Sequence, residues 1–304
     1  MQKIFISSIL FLILSFNVKG QQQAMFTQYM FNGLALNPAY AGIHEGLSAS
    51  MLWREQWVGF EGAPSTQTFS IHSPIRYKPI SLGAMLIRDK IGVTEQFGAY
   101  FSYAYRIMTG RKSRISFGLQ GSLSNFNSNY VDATLGLDPT LLNSNVNETK
   151  PNIGAGIMFH SDKYYFGLSV PQVLNHRFDS SNPDSDSYMV RHYFATAGVV
   201  LDLNRDVKIK PNLLIKAVRG APVELDLNVN VLLQEFLWVG VSYRSFDSFD
   251  AIVQFQLTPL LQLGYAFDFA TTTEIRRVNS GSHEIMVNYR FKLNKDKTVT
   301  PRYF

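Results

Sequence analysis

Along most of the chain, apolar and polar residues alternate one by one. From Glu95 to Arg106, Phe97, Ala99, Phe101, Tyr103 and Tyr105 fall on one side. Gln96, Gly98, Tyr100, Ser102, Ala104 and Arg106 fall on the other. Towards the end, Ile285, Val287, Tyr289 and Phe291 alternate with Glu284, Met286, Asn288, Arg290 and Lys292. Successive side chains of a strand point to opposite faces, so a period of two predicts strands with one apolar and one polar face. Fourteen such segments can be read: 47–56, 66–73, 80–88, 95–106, 114–124, 152–160, 163–170, 191–202, 207–217, 222–233, 236–245, 249–257, 260–269 and 283–293. Most are about 8–12 residues, close to what a tilted membrane-crossing strand needs. Pro211 in the ninth removes a ladder donor, and the short second segment stops at Pro74.

The even number has a consequence. Single-chain bacterial barrels keep both termini on the periplasmic side, with short turns there and longer loops outside. If the first strand runs outward, the inner turns are 74–79, 107–113, 161–162, 203–206, 234–235 and 258–259, all short. The longest connections, 125–151, 171–190 and 270–282, all fall outside. The polar face carries Gly, Ser, Asn and Gln, with Arg54, Arg88, Arg106, Asp226 and Arg244 among them. Trp53, Trp57 and Trp238 lie near strand ends, where interfacial aromatic belts form. Backbone polar groups in hydrocarbon must all be paired, so a membrane sheet has to close on itself. The expected fold is all-β: a transmembrane antiparallel β-barrel of about 14 strands. A soluble β-sandwich or propeller is the alternative.

The start of the chain reads differently. Lys3 precedes an apolar stretch, Ile4 to Phe16, broken only by Ser7, Ser8 and Ser15. It is short for a membrane span and has the layout of a secretory signal, with cleavage expected after Gly20. The expected organisation is a signal peptide over 1–20, an N-terminal motif segment over 21–46, the barrel over 47–293 and a tail over 294–304.

Composition supports a barrel. Charged residues are 17% of the chain and aromatics 13%, against about 25% charged in ordinary soluble domains. Mean hydropathy is only −0.03, as expected when an apolar outside and a polar inside average out. The absence of cysteine excludes disulfides, thiolate metal sites and cysteine nucleophiles. The formal charge of +5 includes Lys3 and Lys19 of the signal and is too small to indicate a nucleic-acid partner.

Catalytic chemistry is weakly represented. His44, His72, His160, His176, His192 and His283 form no ligand-spaced cluster. Ser70 and His72 share a strand face, but no G-x-S-x-G elbow is present. Gly118, Gly121, Gly154 and Gly156 read as small inward positions or bends. Asn182, Asp184 and Asp186 lack the spacing of a calcium loop. The chain is expected to be no enzyme and to need no cofactor or metal.

The most specific stretch follows the signal. Phe26-Thr27-Gln28-Tyr29-Met30-Phe31-Asn32 leads to Leu36-Asn37-Pro38-Ala39-Tyr40-Ala41-Gly42, and the chain ends Pro301-Arg302-Tyr303-Phe304. These blocks resemble the opening and closing signatures of the PorP/SprF family. The resemblance implies an integral outer-membrane protein of Bacteroidetes, working with the type IX secretion system. It implies as partners outer-membrane lipids, periplasmic ring or lipoprotein components, and for some members a large surface adhesin used in gliding. It leaves open a secretion-core role, an adhesin-specific role, or a porin or hydrophobic-solute transporter.

On physical grounds Asn37-Pro38 marks a turn, and Gly42 permits a positive φ. Tyr29, Phe31 and Tyr40 supply apolar mass beside Ala39, while Gln28, Asn32 and Asn37 supply hydrogen-bonding amides. One reading folds this segment into the periplasmic mouth as a plug or docking element; the other makes it a packed terminus with no partner. Pro301, Arg302, Tyr303 and Phe304 similarly read as a partner contact or a plain tail.

Overall fold

A computed structural model describes residues 23–44, 46–129, 146–177, 188–271 and 279–291. The strands are β1 Leu47–Glu55, β2 Ser65–Pro74, β3 Ile80–Ile91, β4 Thr94–Met108, β5 Arg114–Ser128, β6 Val146–His160 and β7 Tyr164–Val170. β8 runs His192–Val199 and resumes at Leu201–Asp202. Then come β9 Val207–Val218, β10 Glu224–Leu233, β11 Leu237–Arg244, β12 Ser248–Gln256, β13 Leu261–Ala270 and β14 Ser282–Phe291. Each pairs antiparallel with its sequence neighbours, and β1 pairs with β14 from Leu47↔Phe291 to Glu55↔His283. The sheet is therefore a closed barrel of fourteen strands. All fourteen expected segments are present, and the longest connections, those after β5, β7 and β13, all fall at the outer end as the parity predicted.

Alternation sorts the side chains as expected. Phe97, Phe101, Tyr103, Ile285 and Tyr289 face outward, while Tyr100, Ser102, Glu284, Met286 and Asn288 are buried inside. Pro211 is accommodated without a register shift. The β8–β9 pairing reaches Gly198↔Asn212 and resumes at Leu201↔Ile209, so the gap in β8 lies opposite Lys210 and Pro211. The missing N–H interrupts the ladder locally, while on the other side Val200 N–H continues the pairing towards β7 by donating to Lys163 O.

Three readings need correction. Trp238 is not in an interfacial belt. It shares the inward face with Gly240, Ser242 and Arg244 and is buried. Arg88 lies on the outward face near the outer end of β3, paired with Glu95 at 2.5 Å, where the apolar band has ended. β5 and β6 extend beyond their apolar alternation. Asn125 Nδ2 donates to Asn147 Oδ1 and Thr149 Oγ1, continuing the hairpin in polar residues above the lipid.

One outer connection turns back into the mouth. Gln120 Nε2 donates to Pro171 O, Gln172 Nε2 to Tyr100 Oη, and Asn152 Nδ2 to Leu174 O. His176–Arg177 and Tyr188–Met189 then pair as a short antiparallel ladder over the opening.

Candidate functional site

The lumen is occupied by the chain's own N-terminal segment. From Phe26 to His44 every residue except Gly33 is buried, in three 3-10 turns, Tyr29–Phe31, Gly33–Ala35 and Pro38–Tyr40. Short turns of this kind suit Gly-, Pro- and Asn-rich sequence better than a regular helix would. One of the two sequence readings placed this segment at the periplasmic mouth; it runs the full depth of the lumen. Thr27 and Gln28 sit level with Arg54 and Glu284 at the outer ends of β1 and β14, and Gly42 sits by His72 near the inner end of β2.

The outer anchor is ionic. Thr27 N–H and Gln28 N–H each donate to one oxygen of the Glu284 carboxylate at 2.8 Å. Thr27 Oγ1 donates to Asp268 at 2.9 Å and accepts from Arg54 Nη1 at 2.9 Å. Arg54 bridges Asp268 at 2.6 Å and Glu284 at 3.3 Å, with all three side chains almost fully buried. Buried charges are tolerable only when paired and hydrogen-bonded, which this arrangement achieves. Gln254 Nε2 donates to Gln28 Oε1, and Gln262 and Asn288 extend the amide chain behind it. Alongside, Arg244 pairs with Asp226 at 3.1 Å and reaches Phe26 O.

The middle is aromatic. Phe31 packs edge-on against Trp238 at 5.7 Å, and Lys210 Nζ lies 4.4 Å from the Phe31 ring centre and 3.5 Å from Met30 O. Cation–π contact and carbonyl bonding together accommodate a buried ammonium. Asn32 Oδ1 accepts from Ser70 Oγ. Tyr29 packs in the buried core of the lumen.

Below it, Asn37-Pro38-Ala39 meets a bed of glycines. Asn37 Oδ1 caps the third turn by accepting Ala39 N–H at 2.9 Å, with Pro38 at the first position. Asn37 Nδ2 donates to Ile157 O at 3.1 Å and Leu168 O at 3.4 Å on two barrel strands. A methyl group at Gly118 would come within 2.2 Å of Ala39 N, and one at Gly156 within 2.1 Å of Asn37 Oδ1. These glycines let the segment lie directly on the barrel backbone.

At the inner end, Gly42 has φ +70, and a Cβ there would meet Ser81 Oγ at 2.3 Å. Gly42 N–H donates to His72 Nδ1 at 3.0 Å, and Arg106 Nη1 donates to Gly42 O at 2.6 Å. Tyr40 packs edge-on against His72, which stacks on His44 at 5.3 Å. Ser70 and His72, which share a face, thus bind the segment and do not form a pair with each other.

All nine motif residues named from sequence lie in the lumen. Pro301 to Phe304, the signal over 1–20 and the loop aspartates Asp184 and Asp186 lie outside the described residues. The holding residues Asp268, Glu284 and Lys210 were not singled out as a site. Their signal was parity: each occupies an inward position of its strand, as Asp268 does in Phe267-Asp268-Phe269.

A closed antiparallel barrel with an apolar exterior and a polar, self-filled lumen defines an integral outer-membrane β-barrel protein. The chain belongs to the PorP/SprF family: residues 18–289 match the type IX secretion system membrane protein PorP/SprF. No curated protein matches it. Among solved structures, it is similar to the Acinetobacter baumannii outer membrane protein Omp33, with 10% identity, 82% of this chain and 100% of that chain covered, and TM-score 0.47. It is also similar to the CymD monoaromatic hydrocarbon channel, with 12% identity, 90% and 94% covered, and TM-score 0.47. A Pseudomonas aeruginosa FadL homologue gives 12% identity, 87% and 94% covered, and TM-score 0.47.

Proposed function

We propose that this type IX secretion membrane component is a non-enzymatic scaffold. The barrel fixes it in the outer membrane, its inner turns dock to periplasmic ring or lipoprotein components, and its outer loops hold a client such as a gliding adhesin. The observation that carries this reading is the covalently attached, almost wholly buried segment filling the lumen. It leaves beside it a cavity of 20 Å³ around Tyr29, Asn37 and Tyr40, and another of 80 Å³ nearer the outer mouth. A barrel filled in this way is suited to holding partners at its ends more than to passing solutes. Two inner turns, 75–79 and 109–113, add support: Arg76, Lys78, Arg111 and Lys112 are all exposed, Lys112 lying 3.7 Å from Asp162, and make this part of the rim basic and suited to an acidic periplasmic partner.

The test is an affinity pull-down from detergent-solubilised outer membrane, with a tag in the 125–151 connection, followed by mass spectrometry. Recovery of periplasmic type IX components or a large surface adhesin is expected. A lone barrel showing steady conductance in planar bilayers would overturn the scaffold in favour of a porin or hydrophobic-solute transporter.

A further inference from the structure

The 80 Å³ cavity lies between the buried segment and the inturned outer connection. Its lining includes Gln23, Phe26, Asp89, Gln96, Tyr100 and Tyr188. Asp89 points inward near the outer end of β3, directly opposite Gln96 on β4 and Thr66 on β2. Its carboxylate accepts from Thr66 Oγ1 and forms no ion pair among the described residues. The cations adjacent in sequence cannot serve it. Arg88 and Lys90 alternate to the outward face, and Arg88 is taken by Glu95. A half-buried carboxylate facing a cavity with no ion-pair partner among the described residues is costly, and a bound cation would relieve that cost.

The neighbours favour one kind of cation. Gln23 Oε1 is buried in the same region with no hydrogen-bond partner among the described residues. Gln96 offers a second amide oxygen on the wall. A primary ammonium has three donors and no acceptor, and the cavity offers acceptors for them in the Asp89 carboxylate and the amide oxygens of Gln96, Gln23 and Gln172. Gln172 and His192 also line the wall, Gln172 Nε2 donating to Tyr100 Oη and His192 Nε2 accepting from Gln23 N–H; Phe26, Tyr100 and Tyr188 are able to face an alkyl stem or a cation.

We propose that this cavity is a binding site for a primary ammonium group carried on a short apolar stem. A free alkylamine and a lysine side chain of a polypeptide share that chemistry. The site does not depend on the scaffold reading.

Calorimetric titration of the full detergent-solubilised chain tests it with two probes: n-butylammonium, and a lysine tripeptide blocked at both ends. Saturable binding of n-butylammonium is expected, with none for n-butanol, which has the stem without the charge. Asp89→Asn should weaken binding about tenfold or more, because charge-assisted hydrogen bonds are roughly twice as strong as neutral ones. Heat-modifiable gel migration verifies that this near-isosteric variant is folded. Gln96→Leu provides a second variant, expected to weaken binding without touching the charge. Binding of both probes, lost together in Asp89→Asn, identifies a polypeptide lysine as an acceptable source, whereas binding of n-butylammonium alone restricts the site to free amines. Absence of saturable binding to the unaltered chain, or equal binding by folded Asp89→Asn, would show a solvent-filled crevice only and overturn the proposal.

Discussion

Glu284 holds two consecutive backbone N–H groups and one guanidinium at once. Glu284→Gln keeps the shape but removes the charge that Arg54 needs. Breaking one partner of a buried ion pair costs about 3–5 kcal/mol, so we expect the variant to unfold at markedly lower temperature in a heat-modifiability assay. Unchanged migration would mean that Asp268 alone suffices for Arg54. Asn37→Ala removes a cap and two strand-directed bonds. Loss of such a cap costs typically about 1 kcal/mol, and leaving buried carbonyls unsatisfied adds to it. Gly156→Val should be worse than Asn37→Ala, since its side chain would enter space already held by Asn37 and Pro38. Comparative protease resistance of the two purified variants checks that order. At this scale the sequence was informative about residue type but silent about partner. Gln28, Asn32 and Asn37 were recognisable as hydrogen-bonding amides, yet nothing local links Thr27 to Asp268, 241 positions away. Trp238 shows the same limit: its place near a strand end suggested lipid, while the parity set by Arg244 and Ser242 turned it inward.

Among the elements, the strands were the most legible feature, because alternation and register are local consequences of the pleat. Their ends were less so. β5 and β6 outlast their apolar signal because backbone pairing can continue in water through Asn125, Asn127 and Asn147 once the lipid boundary is passed. The N-terminal segment was the hardest element, since its 3-10 turns have no strong period and its direction through the barrel depends wholly on distant contacts. Deleting residues 24–42 tests it as a unit. We expect the barrel to assemble with lowered stability and to conduct ions in planar bilayers, where the unaltered chain stays closed. Assembly and secretion should be scored separately. Normal secretion by a correctly assembled deletion would leave the segment a structural filler with no part in docking.

For the whole molecule, charge and apolar surface are arranged by depth. Outward aromatics such as Phe101, Tyr103, Phe249 and Tyr265 form the membrane face, while exposed Arg76, Lys78, Arg111 and Lys112 gather at the inner end. Reversing Arg111 and Lys112 to glutamate should leave barrel stability within about 0.5 kcal/mol, as for surface changes generally. The same change should reduce co-purification of periplasmic type IX components if the basic rim is the docking face. Full recovery of those components would move the contact to another part of the inner surface.

Assembly order follows from where the clamp on Thr27 and Gln28 is built. Its carboxylates come from β13 and β14, the last strands in the sequence, and β14 also forms the seam with β1. The thread that fills the pore is made before any strand of the barrel, yet it can be fastened only when the final hairpin arrives. Sealing the wall and locking its contents are therefore one event. A chain stalled before its last strand would have an open side and a loose strand of filler, and periplasmic quality control could recognise both as a single unfinished state.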